Sequence, residues 1–169
     1  MSKLIKAIEN QSVYSKDKSN KFGEVFTPTE LVMEMLASLP DELWKDPTKT
    51  FFDPCSGFGN FPAVVITKLM DTLEQQIPDE TERYKHILEN QIYMAEYQKE
   101  SAEFIEQTFN PTKELKLNLY VGDSLTMPED FFDLPFNTRI TRYPQHYVWG
   151  QIPEGYRPKP GKPFIKPLF

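Results

Sequence analysis

An α/β fold, a three-layer sandwich around a mainly parallel sheet, is what this sequence predicts, and two features carry the prediction. Short apolar runs end in an acidic residue or a glycine loop, and these runs alternate with longer segments of helical periodicity. Phe51-Phe52-Asp53 reads as a first, buried parallel strand that ends at a carboxylate. Gly57 and Gly59 then permit a tight turn, and Asn60-Phe61-Pro62 opens a helix expected over 61–75. Ile92-Tyr93-Met94-Ala95-Glu96 is the second strand, and Leu117-Asn118-Leu119-Tyr120-Val121 the third, running into Gly122-Asp123-Ser124-Leu125. Further helices are expected over 28–39, 81–90 and 98–109. In the first of these Thr27 is a candidate N-cap, with Pro28 at the first helical position and Glu30 completing a capping box. Leu31, Val32, Met35, Leu36 and Leu39 form its apolar stripe.

Strand, glycine loop and helix N-terminus together make the geometry that holds a nucleotide-like ligand against backbone N–H groups. An acid at the end of the following strand, here Glu96, is placed to accept hydrogen bonds from ribose hydroxyls.

Asp53-Pro-Cys-Ser-Gly-Phe-Gly-Asn-Phe61 resembles motif I, Asp-Pro-x-x-Gly-x-Gly-x-Phe, of the S-adenosylmethionine-dependent N6-adenine DNA methyltransferases of restriction-modification systems. Lys21-Phe-Gly-Glu-Val-Phe-Thr-Pro28 looks like that family's motif X, Glu96 like the acid of motif II, and Asp123-Ser124-Leu125 like motif III. The resemblance implies a partial Rossmann-like methyltransferase fold, roughly the first half of a seven-stranded sheet. It implies S-adenosylmethionine as cofactor and double-stranded DNA as partner, reached with additional sequence or a subunit. The cofactor residues it implies are Phe26 and Thr27 from motif X, then Asp53, Cys55, Gly57, Gly59, Asn60 and Phe61 from motif I. Glu96 would take the ribose, Asp123 the adenine amino group, and Leu125 would pack on the ring.

The family's catalytic motif IV, Asn/Asp-Pro-Pro-Tyr/Phe, follows a fourth strand. Its polar side chain and a backbone carbonyl accept the two protons of the target adenine's amino group, and its aromatic residue stacks on the flipped base. No such string occurs here. Aligning on Phe136 puts Arg142-Tyr143-Pro144-Gln145 in its place. Asp133-Leu134-Pro135-Phe136 keeps an acid, a proline and an aromatic residue, so Asp133 and Phe136 are the candidates for catalysis, although they precede the expected fourth strand.

Composition shifts at the same place. Residues 137–169 carry Arg139, Arg142, Arg157, Lys159, Lys162 and Lys166 against Glu154 alone, a local +5 that leaves −11 for the remainder of a chain whose net charge is −6. Six of the fifteen prolines lie there, which disfavours helix and central strand. A natural irregular terminus, a truncated or frameshifted gene, and a basic arm that touches phosphate are all compatible with this. The change falls inside an expected core strand, which favours truncation or degeneration. The domain reading is therefore a polar arm over 1–20, mobile or docked on a partner or on DNA, a partial cofactor-binding domain over 21–136 and a basic, proline-rich tail over 137–169.

The acidic balance argues against a self-sufficient DNA surface, because outside the tail only Lys3, Lys6, Lys16, Lys18 and Lys21 cluster as a basic segment. A single cysteine, Cys55, excludes an internal disulfide, fits a reducing cytoplasm, and reads as a packing residue. His86 and His146 alone give no basis for a metal site, and no apolar run is long enough to span a membrane. An unfinished sheet edge favours an oligomer or a partner chain. Two functions stay open. One is an adenine-specific DNA methyltransferase or its cofactor-binding part, inactive alone. The other is a non-catalytic S-adenosylmethionine-binding module or phage-borne remnant that acts through a partner.

Overall fold

A computed structural model describes residues 3–15 and 26–148. Its centre is a parallel three-stranded sheet of order β1-β2-β3, with β1 at Phe51–Asp53, β2 at Ile92–Glu96 and β3 at Asn118–Val121. Helices flank the sheet, in the manner of a partial Rossmann-like fold: α1 (Lys3–Ser15), α2 (Thr29–Ala37), α3 (Asp41–Lys45), α4 (Asn60–Thr72), α5 (Glu80–His86), α6 (Lys99–Phe109) and α7 (Phe136–Arg142). α5 runs directly into a π-helical turn, Ile87–Gln91, whose wider winding delivers the chain to β2.

Register explains the two faces. Phe51 pairs with Ile92, Met94 with Leu119, and Ala95 with Tyr120. Successive side chains in a strand point to opposite sides. Ile92, Met94, Leu119 and Val121 therefore join one core with α4 (Ala63, Ile66, Leu69), α6 (Ala102, Ile105, Phe109) and Trp44 of α3. Ala95 and Tyr120 face the other way, into an aromatic cluster with Phe131, Ile140 and Tyr147. Phe132 crosses that second face, edge-on to Tyr93 at 5.1 Å and to Phe52 at 5.9 Å between ring centroids.

Several expectations are corrected. The N-terminal segment is not a mobile arm over residues 3–15: α1 sets Ile5 and Ile8, three residues apart on one helix face, fully into the core. Thr29 in turn donates its hydroxyl to Glu9 Oε1 at 2.7 Å. Thr27 does not cap α2. Pro28 holds the N-cap position in extended conformation, with no side-chain cap. The α2 stripe is narrower than expected, since Val32 is buried while Leu31 and Met35 are exposed. β1 lies at a sheet edge among the described residues, not in a buried interior, and Phe52 is 50% exposed. Where a fourth strand was expected, residues 136–142 form α7, because Arg139 and Ile140 pack against the aromatic face. Arg139 is buried there and donates Nη2 to Asn118 Oδ1 at 2.9 Å, with the rings of Phe131, Phe132 and Phe136 around its guanidinium. Arg142 pairs with Asp130, so neither arginine is a free phosphate contact. The remaining tail cations, and Lys16, Lys18 and Lys21 to Val25 of the motif X segment, lie outside the described residues.

Candidate functional site

Because the three strands are parallel, their carboxyl ends lie side by side, and a cleft of about 780 Å³ opens there. Each strand end brings one acid to it: Asp53, Glu96 and, just past β3, Asp123. The loop after β1 contributes Cys55, Gly57, Asn60 and Phe61, and the segment before α2 contributes Phe26 and Thr27.

The loop is fastened to the end of β2. Gly57, left-handed at φ 52°, donates its N–H to Glu96 Oε2 at 2.7 Å, and Gln98 donates to Oε1 at 2.7 Å. Ser56 donates its N–H to the Ala95 carbonyl at 3.0 Å and its hydroxyl to the Asp53 carbonyl at 3.1 Å. Asp53 Oδ1 accepts from Cys55 N–H at 3.1 Å. Asp123 Oδ1 accepts from Leu125 N–H at 3.0 Å and so starts the short turn Ser124–Thr126.

Two of the cofactor residues read from the sequence do not line the cleft. Gly59 faces α6, where a Cβ would meet Phe109 Cζ at 2.8 Å, so this glycine serves packing. Leu125 follows Asp123 in the short turn Ser124–Thr126 and is 93% exposed. Cys55 is exposed on the cleft, not packed as its small size led us to expect. Neither catalytic candidate reaches the cleft. Phe136 stands edge-on to Tyr147 at 6.0 Å, and Asp133 sits in the turn that leads to α7. Arg142 and Tyr143, at the aligned motif IV position, both hydrogen-bond Asp130, at 2.9 and 3.2 Å.

Sequence reading missed Phe58, Tyr97, Gln98 and Ser124 as cleft residues. For Tyr97 a signal existed: an aromatic residue directly after a strand-end acid, here 71% exposed.

Among the described residues the cleft is electrostatically one-sided, lined by three carboxylates and by no lysine, arginine or histidine. Burial holds the Asp53 carboxyl above its ordinary range, against the opposing pull of the Cys55 N–H. A raised carboxyl favours the protonated form in the folded state. The stability it contributes is therefore complete below the unfolded pKa and is lost as pH rises through the folded one. Asp53→Asn keeps the acceptor for Cys55 but cannot ionise. The variant is expected to gain stability relative to wild type as pH rises past the ordinary carboxylate range. Urea midpoints measured on both proteins across that range check this, and parallel profiles would refute it.

No helix among the described residues is long and apolar enough to cross a membrane. No protein-family profile matches the chain. A protein of Mycoplasma pneumoniae described as an uncharacterized adenine-specific methylase is 29% identical to it over 129 residues, which cover 73% of this chain and 31% of the relative. The chain thus spans about a third of that protein's length. This likeness supports a methyltransferase-like relationship for the chain.

Proposed function

We propose that this chain is the S-adenosylmethionine-binding part of an adenine-specific DNA methyltransferase, one that acts on the N6 amino group together with further polypeptide or a subunit. The observation that carries the reading is the charge of the cleft. A phosphate-bearing nucleotide needs cations or free N–H groups around it. Among the described residues the lining offers three carboxylates and no cation, and the Gly57 N–H is already held by Glu96. A nucleoside without phosphate, carrying positive charge, fits that surface. S-adenosylmethionine when bound supplies a methyl group on a positively charged sulfonium.

The protein's contribution is binding and orientation. A carboxylate has about four acceptor sites, so Glu96 can serve its two backbone donors and still accept ribose hydroxyls. Asp123 has a second oxygen for the adenine amino group, and Phe26 and Phe61 supply apolar wall.

Calorimetric titration is the test. Saturable heat is expected with S-adenosylmethionine or its demethylated product, and none with ATP or NAD. Cys55, the single cysteine and exposed in the cleft, should alkylate more slowly in the presence of the ligand. Glu96→Gln, which keeps one acceptor and loses the charge, should weaken binding by about 1–3 kcal/mol. Absence of heat at millimolar S-adenosylmethionine would reject the reading.

A second reading, a non-catalytic cofactor-binding module that works through a partner, draws support from one specific observation. The residues at the aligned motif IV position are engaged with Asp130, not turned to the cleft.

A further inference from the structure

Asn60 is the first residue of α4, on the cleft wall, and only 7% of it is exposed. Its Nδ2 donates to the Thr27 carbonyl. A carbonyl can only accept, so the Thr27 oxygen fixes which end of the amide faces it. Oδ1 is then turned away, buried and without a partner among the described residues. An amide held by one end in a closed site is a fastening with a defined direction, not a surface contact. In the segment it fastens, Phe26 and Thr27 line the cleft, and the Thr29 hydroxyl is held by Glu9 of α1. Glu96 and Asp123 stand on the ends of β2 and β3, the central strand and the one beyond it.

We propose that Asn60 is a positioning residue of the cleft. By holding Thr27, it sets the wall that confines the part of a ligand extending beyond its nucleoside. This rests on the cofactor reading above, in which the nucleoside lies toward Glu96 and Asp123 and the amino-acid portion toward Thr27.

The test uses the whole chain, the variants Asn60→Asp and Asn60→Leu, and two ligands. Methylthioadenosine shares the adenine and ribose of S-adenosylmethionine but lacks its amino-acid portion. Asn60→Asp keeps size and shape but exchanges the donor for a carboxylate oxygen and brings a negative charge, whereas Asn60→Leu removes the donor without a charge, so a loss shared by both variants is the loss of the donor. Affinity for S-adenosylmethionine should fall about fivefold to tenfold, and affinity for methylthioadenosine should stay within about twofold. Independently of any ligand, amide hydrogen exchange in α2 from Val32, whose N–H is held by the Pro28 carbonyl, should accelerate, while exchange in the body of α4 stays as in wild type. Equal loss for both ligands, or unchanged exchange, overturns the proposal. If wild type binds neither ligand, the cofactor reading fails, and the exchange data still decide whether Asn60 holds Thr27.

Discussion

Gly59→Ala is expected to destabilise the fold by about 2–4 kcal/mol, whereas Gly57→Ala is expected to cost only about 1–2 kcal/mol. Both glycines have positive φ, 52° at Gly57 and 87° at Gly59, so each substitution carries the left-handed backbone penalty of an L-residue. Their surroundings differ. A Cβ at Gly57 meets nothing within 4 Å. At Gly59 it would stand 2.8 Å from Phe109 Cζ and 3.3 Å from Ile105 Cγ1. Phe109 and Ile105 are fully buried, and the Phe109 carbonyl is held by Tyr84 Oη at 2.8 Å, so the ring has little room to withdraw. Overpacking therefore adds to the backbone penalty at Gly59 alone. Urea denaturation of both variants measures the difference. In ligand titrations the ranking should reverse, because Gly57 lines the cleft and Gly59 does not. Equal destabilisation by the two substitutions would contradict the assignment of Gly59 to packing.

The same pair shows what the sequence makes legible. The spacing of the two glycines marks a turn, but it does not say that one faces the cleft and the other faces α6, since that depends on a helix more than forty residues downstream. The three strands are legible because each is an apolar run that stops at an acid, and their order and parallel direction follow from the helices between them. The strand-end acids Asp53, Glu96 and Asp123 meet as expected for that reason. α1 was not legible. Ile5 and Ile8 are two apolar residues among lysines and polar side chains, and their burial is decided by the packing of α4 and α6, which no local pattern reports. α7 was missed because the expected strand came from the resemblance, while the helical pairing of Phe136, Arg139 and Ile140 depends on the aromatic face they cover. The Asn60–Thr27 bond joins residues thirty-three apart and is equally invisible to local reading.

Incubated by itself with unmethylated DNA and tritiated S-adenosylmethionine, the chain is expected to transfer methyl at no more than about one ten-thousandth of the rate of a complete adenine methyltransferase. Binding a cofactor equally well in ground and transition states lowers no barrier. Rate comes from contacts made during transfer: acceptors for the two amino protons of the flipped adenine, and a ring stacked on the base to hold it in line. Each such preorganised contact contributes on the order of a hundredfold or more. At the aligned position Arg142 offers donors and positive charge, the wrong polarity for accepting amino protons, and it is committed to Asp130. The Tyr143 hydroxyl is on the same carboxylate, and Gln145 has no ring to stack. Phe136 has a ring, but it is packed against Tyr147 and Arg139, outside the cleft lining. Two missing contacts at about a hundredfold each give the ten-thousandfold expectation. Incorporation well above that level would refute it. If that incorporation vanished in Asp133→Ala or Phe136→Ala, the Asp133-Leu134-Pro135-Phe136 string would become the catalytic motif, and α7 would have to leave the aromatic face to bring it to the cleft.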